Sequence, residues 1–75
     1  MDIKYDFVDV DVKAIDEIKA YVEKNLIKKF YKSGEGKKDV KIQLVYGEET
    51  YHCSLTRLDD QLISCFIIDS RTWMM

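Results

Sequence analysis

One long stretch of helical periodicity constrains the fold of this chain more than any other feature. Residues 12–33, VKAIDEIKAYVEKNLIKKFYKS, contain no proline or glycine, and their apolar positions recur at spacings of three and four. This spacing predicts an amphipathic helix of about 30 Å. Asp11 is the predicted N-cap, and Ser33-Gly34 the predicted stop. The main apolar stripe consists of Ile15, Ile18, Val22, Leu26 and Phe30.

The remaining segments alternate apolar and polar residues with a period of two, as strands do. IKYDFVDVDV precedes the helix, and VKIQLVY, TYHCSLTRL and QLISCFIID follow it, with GEE and DD as turns. The predicted fold class is α+β, with the element order β-α-β-β-β. We expect a four-stranded, mostly antiparallel sheet with one long amphipathic helix packed on one face, in which the first strand and the post-helix strand run parallel.

Size and composition predict one cytoplasmic domain. Residues 1–75 are near the lower limit for a chain that folds alone, and 47% of them are hydrophobic. Two cysteines are too few for a disulfide scaffold, and the acidic start MDIKYDFVDVD is unlike a signal peptide. The apolar runs are too short for a membrane helix. The small size, the lack of proline and the richness in lysine, isoleucine and aspartate resemble accessory proteins of phages and mobile elements, a similarity of composition rather than of motif.

Charge is unevenly distributed along the chain. Residues 1–23 hold seven acids and three lysines, residues 24–41 hold seven lysines and two acids, and residues 42–75 hold five acids and two arginines. The basic middle segment is a candidate site for non-specific nucleic-acid binding. It contains no arginine to read bases, and lysines also stabilise the C-terminal end of a helix, so we expect any such binding to be weak. The candidate polyanion-binding residues are Lys28, Lys29, Lys32, Lys37, Lys38 and Lys41.

The sequence offers no catalytic, metal-binding or cofactor-binding pattern. His52, Cys53 and Cys65 are the only soft metal ligands, and a strand points the first two to opposite faces. We therefore predict no enzymatic activity, no cofactor and no small-molecule substrate. We also predict that both cysteines are reduced, because a two-residue loop at Asp59-Asp60 would place them on opposite faces of a hairpin.

Apolar residues exceed what a single helix-on-sheet core requires. Ile27 and Tyr31 lie away from the main helical stripe, and the last strand is apolar on both faces. The predicted function is therefore a small non-enzymatic interaction module that forms a homodimer or docks on a protein partner. The alternative is a C-terminal tail that folds back and covers the excess. The candidate partner-binding residues are Ile27, Tyr31, Val45, Ile63, Cys65, Ile67 and Trp73.

Overall fold

The computed structural model describes residues 2–33, 36–44 and 48–73 and confirms the predicted fold class. A long helix packs on a four-stranded sheet that comprises β1 (Asp2–Val8), β2 (Lys37–Gln43), β3 (Thr50–Asp59) and β4 (Leu62–Asp69). The strand order is β1-β4-β3-β2. β1 runs parallel to β4, and the other two pairs are antiparallel. β1 and β2, which form the two edges, therefore run in the same direction, as predicted.

The long helix begins where its sequence signal predicts. It consists of α1 (Val12–Tyr21), a π-helical turn (Val22–Leu26) and α2 (Ile27–Ser33). The Asp11 side chain caps α1 by accepting a 2.9 Å hydrogen bond from the backbone N–H of Lys13. Asp9, just before this cap, has a φ of 55°, which aspartate tolerates, so the chain turns there between strand and helix.

The π-helical turn corrects a drift in the apolar stripe. Four-residue steps in an α-helix exceed a full turn by about 40°, so three steps would carry Phe30 about 120° away from Ile18. The N–H of Ile27 instead bonds the carbonyl of Val22, five residues earlier, and the wider turn takes up one extra residue. Phe30 consequently returns to the sheet, where it is fully buried.

The same turn overturns the interpretation of Ile27 and Tyr31 as residues outside the core. The extra residue rotates the second half of the helix by about 100° relative to an uninterrupted α-helix. Ile27 is 7% exposed, and Tyr31 is partly buried against the core. Neither residue lies on a separate apolar stripe, so that part of the predicted partner surface was wrong.

The helix covers the face of β4 that we expected to be left over. Ile63, Cys65 and Ile67 are fully buried in one cluster with the helix. The prediction that these three form an excess apolar row was therefore wrong. Periodicity cannot choose between the two apolar faces of β4, and the structure places the other one, with Leu62, Phe66 and Ile68, away from the long helix.

The hairpin register also differs from the prediction. The turn lies at Asp60-Gln61, and an irregularity between Arg57 and Asp59 shifts the pairing by one residue. Cys53 and Cys65 consequently share the helix-facing side of the sheet, with their sulfurs 3.6 Å apart. The prediction that Cys53 and Cys65 lie on opposite faces of the hairpin is thus wrong. Both side chains are nevertheless free thiols in the structure.

Both thiols are expected to remain reduced in the purified protein. They are buried in the apolar core beneath the helix, and the hydrogen bond with Cys53, together with burial, raises the pKa of Cys65 and so disfavours its reactive thiolate. Titration with a thiol reagent in denaturant, without prior reduction, should count two thiols per chain. A count of zero would show that the pair is oxidised.

Candidate interaction surface

One face of the sheet points away from the long helix, and we call it the open face. Strand pairing arranges its side chains in four rows across the sheet. The first row is Asp2, Leu62 and Asp59. The second row is Lys4, Ser64, Thr56 and Lys37. The third row is Asp6, Phe66, Ser54 and Asp39. The fourth row is Val8, Ile68, His52 and Lys41.

The open face has an apolar centre and charged edges. Leu62, Phe66 and Ile68 lie along the central strand β4. Leu62 and Phe66 are half-buried, Ile68 is only 9% exposed, and Val8 beside them is 36% exposed. Lysines and aspartates occupy the outward positions of the edge strands β1 and β2. This composition, with an aromatic residue at the centre and charge at the rim, matches the usual organisation of a protein interface.

The short helix α3 (Ser70–Trp73) covers one end of the open face. The indole of Trp73 stacks on the imidazole of His52, with ring centroids 4.3 Å apart and an interplanar angle of 8°. Trp73 nevertheless remains 52% exposed. A cleft of about 250 Å³ beside the stack is lined by Lys41, His52, Ser70 and Trp73. The C-terminal segment thus folds back, as the alternative interpretation expected, but the part described here reaches only the end of the face near His52.

Asp69 holds α3 in place. Its carboxylate accepts hydrogen bonds from Arg71 at the backbone N (2.8 Å), Nε (3.2 Å) and Nη2 (3.0 Å). These bonds, the side-chain ones above all, lower the pKa of Asp69. Glu49 accepts a further bond from Arg71 Nη2, and the Thr72 hydroxyl donates to Asp9. The position of Trp73 therefore depends on this carboxylate.

Acid is expected to release α3 from the sheet. Because the folded-state pKa of Asp69 is lowered, its bonds to Arg71 contribute at every pH above the ordinary aspartate value of about 3.9 and are lost as the pH falls through the lower folded value. Trp73 is the only tryptophan, so its fluorescence reports the change directly. We expect its emission to shift to longer wavelength below about pH 3.9.

The Asp69→Asn variant is the matched control for this release. It should show the red-shifted emission already at neutral pH, because the neutral amide cannot replace the carboxylate that accepts from both the backbone and the guanidinium of Arg71. An Asp60→Asn variant, changed in the turn away from α3, should behave like the wild type. Unchanged Trp73 emission in Asp69→Asn would contradict the anchoring role of Asp69.

The structure divides the predicted lysine cluster between two surfaces. Lys28 and Lys29 are exposed on the helix, whereas Lys37 and Lys41 point outward from β2 on the open face. Lys38 lies on the helix-facing side of the same strand, and the side chain of Lys32 is outside the described part of the chain. The described lysines of the cluster therefore lie on two different faces of the domain.

Arg57 lies against the basic C-terminal end of the long helix. The sequence did not indicate this contact. Its guanidinium carbon lies 4.9 Å from the ring centroid of Tyr31 and 5.7 Å from that of Phe30. Arg57 is distant in sequence from most of the lysines, and the pairing of β3 with β2, which a 2.9 Å hydrogen bond from the Arg57 N–H to the Gly36 carbonyl extends, brings it to this end of the domain. These ring contacts orient the guanidinium over the core, away from the open face.

Of the predicted partner-binding residues, only Trp73 is found on the open face. Val45 lies outside the described residues, and the others lie in the core or against it. Leu62 and Phe66 were missed as partly exposed residues of the open face because both faces of β4 are apolar. The pattern DSR at Asp69, Ser70 and Arg71 was an available signal for a capped turn after β4.

Comparisons with protein-family models, with curated proteins and with solved structures return no match. Among the described helices, none has the length and apolarity required to cross a membrane. Within residues 2–33, 36–44 and 48–73, no three histidine, cysteine or acidic side chains are grouped as a metal site. The class of protein defined so far is a small two-layer α+β domain with an open sheet face.

Proposed function

We propose that this protein is a small non-enzymatic interaction module that self-associates, or docks on a protein partner, through the open face of its sheet. The observation that carries the proposal is the apolar centre of that face, where the half-buried Leu62 and Phe66 lie beside the 36% exposed Val8 and the long helix covers none of them. In a two-layer domain such a centre lies in water unless another surface covers it. A cytoplasmic setting belongs to the proposal, since the two free thiols persist best there.

Nucleic-acid binding remains a weaker alternative. Its candidate lysines lie on both layers of the domain, so a polyanion would have to wrap around the β2 edge to contact Lys28 and Lys37 together. Aspartates share the open face with Lys37 and Lys41, and they would repel phosphates. The arrangement therefore favours a protein surface over a nucleic acid.

The Phe66→Asp variant tests the proposal. It places a charge at the centre of the open face and should weaken association, measured by sedimentation velocity over a range of concentrations, while the variant stays folded with a single cooperative urea transition. Tyr21→Asp is the matched control, because Tyr21 is 43% exposed on the helix surface. That variant should associate like the wild type.

Two results would contradict the proposal. If Phe66→Asp unfolds the protein, Phe66 belongs to the core and is not available to a partner. If the wild type self-associates and Phe66→Asp does so equally well, association uses another surface. A monomeric wild type whose Phe66→Asp variant is well folded would leave only docking on a different protein.

A further inference from the structure

We infer that the occupant of the open face is a second copy of this chain, bound in one specific orientation that the charged edges select. The inference rests on the proposed function and adds to it the identity of the partner and the residues that set the geometry. The two sheets pack face to face, with the strands of one copy antiparallel to the same strands of the other. The twofold axis lies midway between the two sheets and parallel to them. It runs perpendicular to the strands, along the direction of the rows, and passes between the second and third rows.

The edge charges distinguish this orientation from its main competitor. On β1 the second row carries Lys4 and the third row Asp6, and on β2 the same rows carry Lys37 and Asp39. An axis perpendicular to the strands lays the second row of each copy over the third row of the other. Lys4 then faces Asp6, and Lys37 faces Asp39, which gives four pairs of opposite charge across the dimer.

An axis parallel to the strands gives the opposite result. It would lay β1 of one copy over β2 of the other within the same row, because the second row spans both edges. Lys4 would face Lys37, and Asp6 would face Asp39, so all four edge contacts would join like charges. Like charges held opposite each other at an interface are strongly disfavoured, so the charge pattern excludes this arrangement.

The central side chains also match in the chosen orientation. Phe66 of one copy lies over Ser64 of the other, which places the largest side chain of the two central rows opposite one of the smallest. Paired sheets separated by about 10 Å interdigitate in this way when large and small residues alternate. The fourth row, which α3 and Trp73 cover at His52, lies opposite the first row, so the covered end of each copy meets the Leu62 end of the other.

The two ends of the sheet, each of which carries an exposed apolar residue, also come together in this arrangement. Trp73, stacked on His52, and Leu58, near the end of β3, are each 52% exposed and lie at opposite ends of the sheet. The axis perpendicular to the strands brings the Trp73 end of one copy to the Leu58 end of the other. The axis parallel to the strands would instead bring the Trp73 end of one copy to the Trp73 end of the other, and the Leu58 end to the Leu58 end.

The size of the face sets the expected affinity. Four strands about 4.8 Å apart and seven residues at about 3.4 Å each span roughly 19 by 24 Å, or about 450 Å² of flat area per copy. This is below the usual area per partner of a stable complex, so we expect a dimer that dissociates in the micromolar range or above. Raising the salt concentration should weaken it further.

A charge-exchange experiment tests the orientation. The first variant, Lys4→Asp with Lys37→Asp, carries only acids at the four edge positions, and the second, Asp6→Lys with Asp39→Lys, carries only lysines. Each alone should dimerise about tenfold more weakly than the wild type or worse, because all four edge contacts become repulsive. An equimolar mixture should form a heterodimer at least as tight as the wild-type dimer, as measured by sedimentation equilibrium.

The outcomes separate a wrong orientation from a wrong interface. Loss of the dimer in Phe66→Asp, together with charge variants that each dimerise as tightly as the wild type, would retain the open face as the interface and overturn the orientation, because an axis parallel to the strands already joins like charges in the wild type. Equal association of wild type and Phe66→Asp would overturn the interface and the orientation together. Circular dichroism of each charge variant establishes that it is folded before either conclusion is drawn.

Carbodiimide cross-linking of the wild type provides a second test that needs no variant. The reagent joins a lysine amine to a nearby carboxylate as an amide with loss of water, and a mixture of ¹⁴N- and ¹⁵N-labelled chains identifies cross-links between copies. We expect Lys4 joined to Asp6 and Lys37 joined to Asp39. If cross-links instead join Lys4 to Asp39 and Lys37 to Asp6, the proposed orientation is wrong. Such cross-links would indicate the competing arrangement, in which the twofold axis runs parallel to the strands.

Discussion

Phe30→Ala is expected to lower the free energy of unfolding by about 3–5 kcal/mol, the range typical of a buried phenylalanine. Phe30 is a residue of α2, and its side chain is fully buried between the helix and the sheet after the π-helical turn restores their contact. A domain of this size has a total stability of roughly 4–11 kcal/mol, so the variant should be partly or wholly unfolded at room temperature. Urea titration followed by circular dichroism measures the change.

Phe66→Ala is the matched control for this substitution. The chemical change is identical, but Phe66 is only half-buried on the open face. We expect a loss of about 1 kcal/mol, because only part of its area leaves water when the monomer folds. Equal destabilisation by the two variants would mean that the open face is packed by the chain itself, which would remove the basis for the proposed interaction surface.

Removing one residue from the π-helical turn is expected to be tolerated, whereas adding one should largely unfold the protein. Deleting Lys24, which is exposed within the turn, allows residues 12–33 to form a regular α-helix. Leu26 and Phe30 keep their direction, because the extra residue that had shifted their phase is the one removed. We therefore expect the free energy of unfolding to change by less than about 1 kcal/mol, or to rise.

Insertion of one alanine after Lys24 is the control at the same site. A second extra residue rotates α2 by about another 100°, which carries Leu26 and Phe30 away from the sheet. Loss of their burial should cost roughly 3–6 kcal/mol at about 1.5–3 kcal/mol per side chain. If the deletion is as damaging as the insertion, the π-helical turn does not set the phase of the core residues.

The candidate site shows what sequence periodicity can predict and what it cannot. Trp73 was expected to be an interface anchor or part of a tail that covers the sheet, and in the structure it stacks on His52 while 52% exposed. The apolar excess of β4 was also apparent, with Ile63, Cys65 and Ile67 alternating against Leu62, Phe66 and Ile68. The choice between these two sets was wrong, since either set satisfies the same local pattern.

Single-residue shifts account for the other errors. An added residue in a helix changes its phase by about 100°, and an added residue in a strand reverses its faces. The π-helical turn brought Ile27 and Tyr31 to the core, and the irregularity near Leu58 brought Cys53 and Cys65 to one side of the sheet. Both shifts retain most local hydrogen bonds, so no short stretch of sequence indicates them.

The sequence by itself determined the element order, the N-cap at Asp11, the amphipathic helix and the α+β class, because each follows from residue spacing and local hydrogen bonding within a few positions. Only the tertiary structure decided which face of β4 the helix covers, where the extra residues enter, and how Asp69 and Arg71 place Trp73 over His52. These features depend on contacts between residues far apart in the chain. The free-energy difference between the alternatives arises from packing the whole core at once, which no local pattern contains.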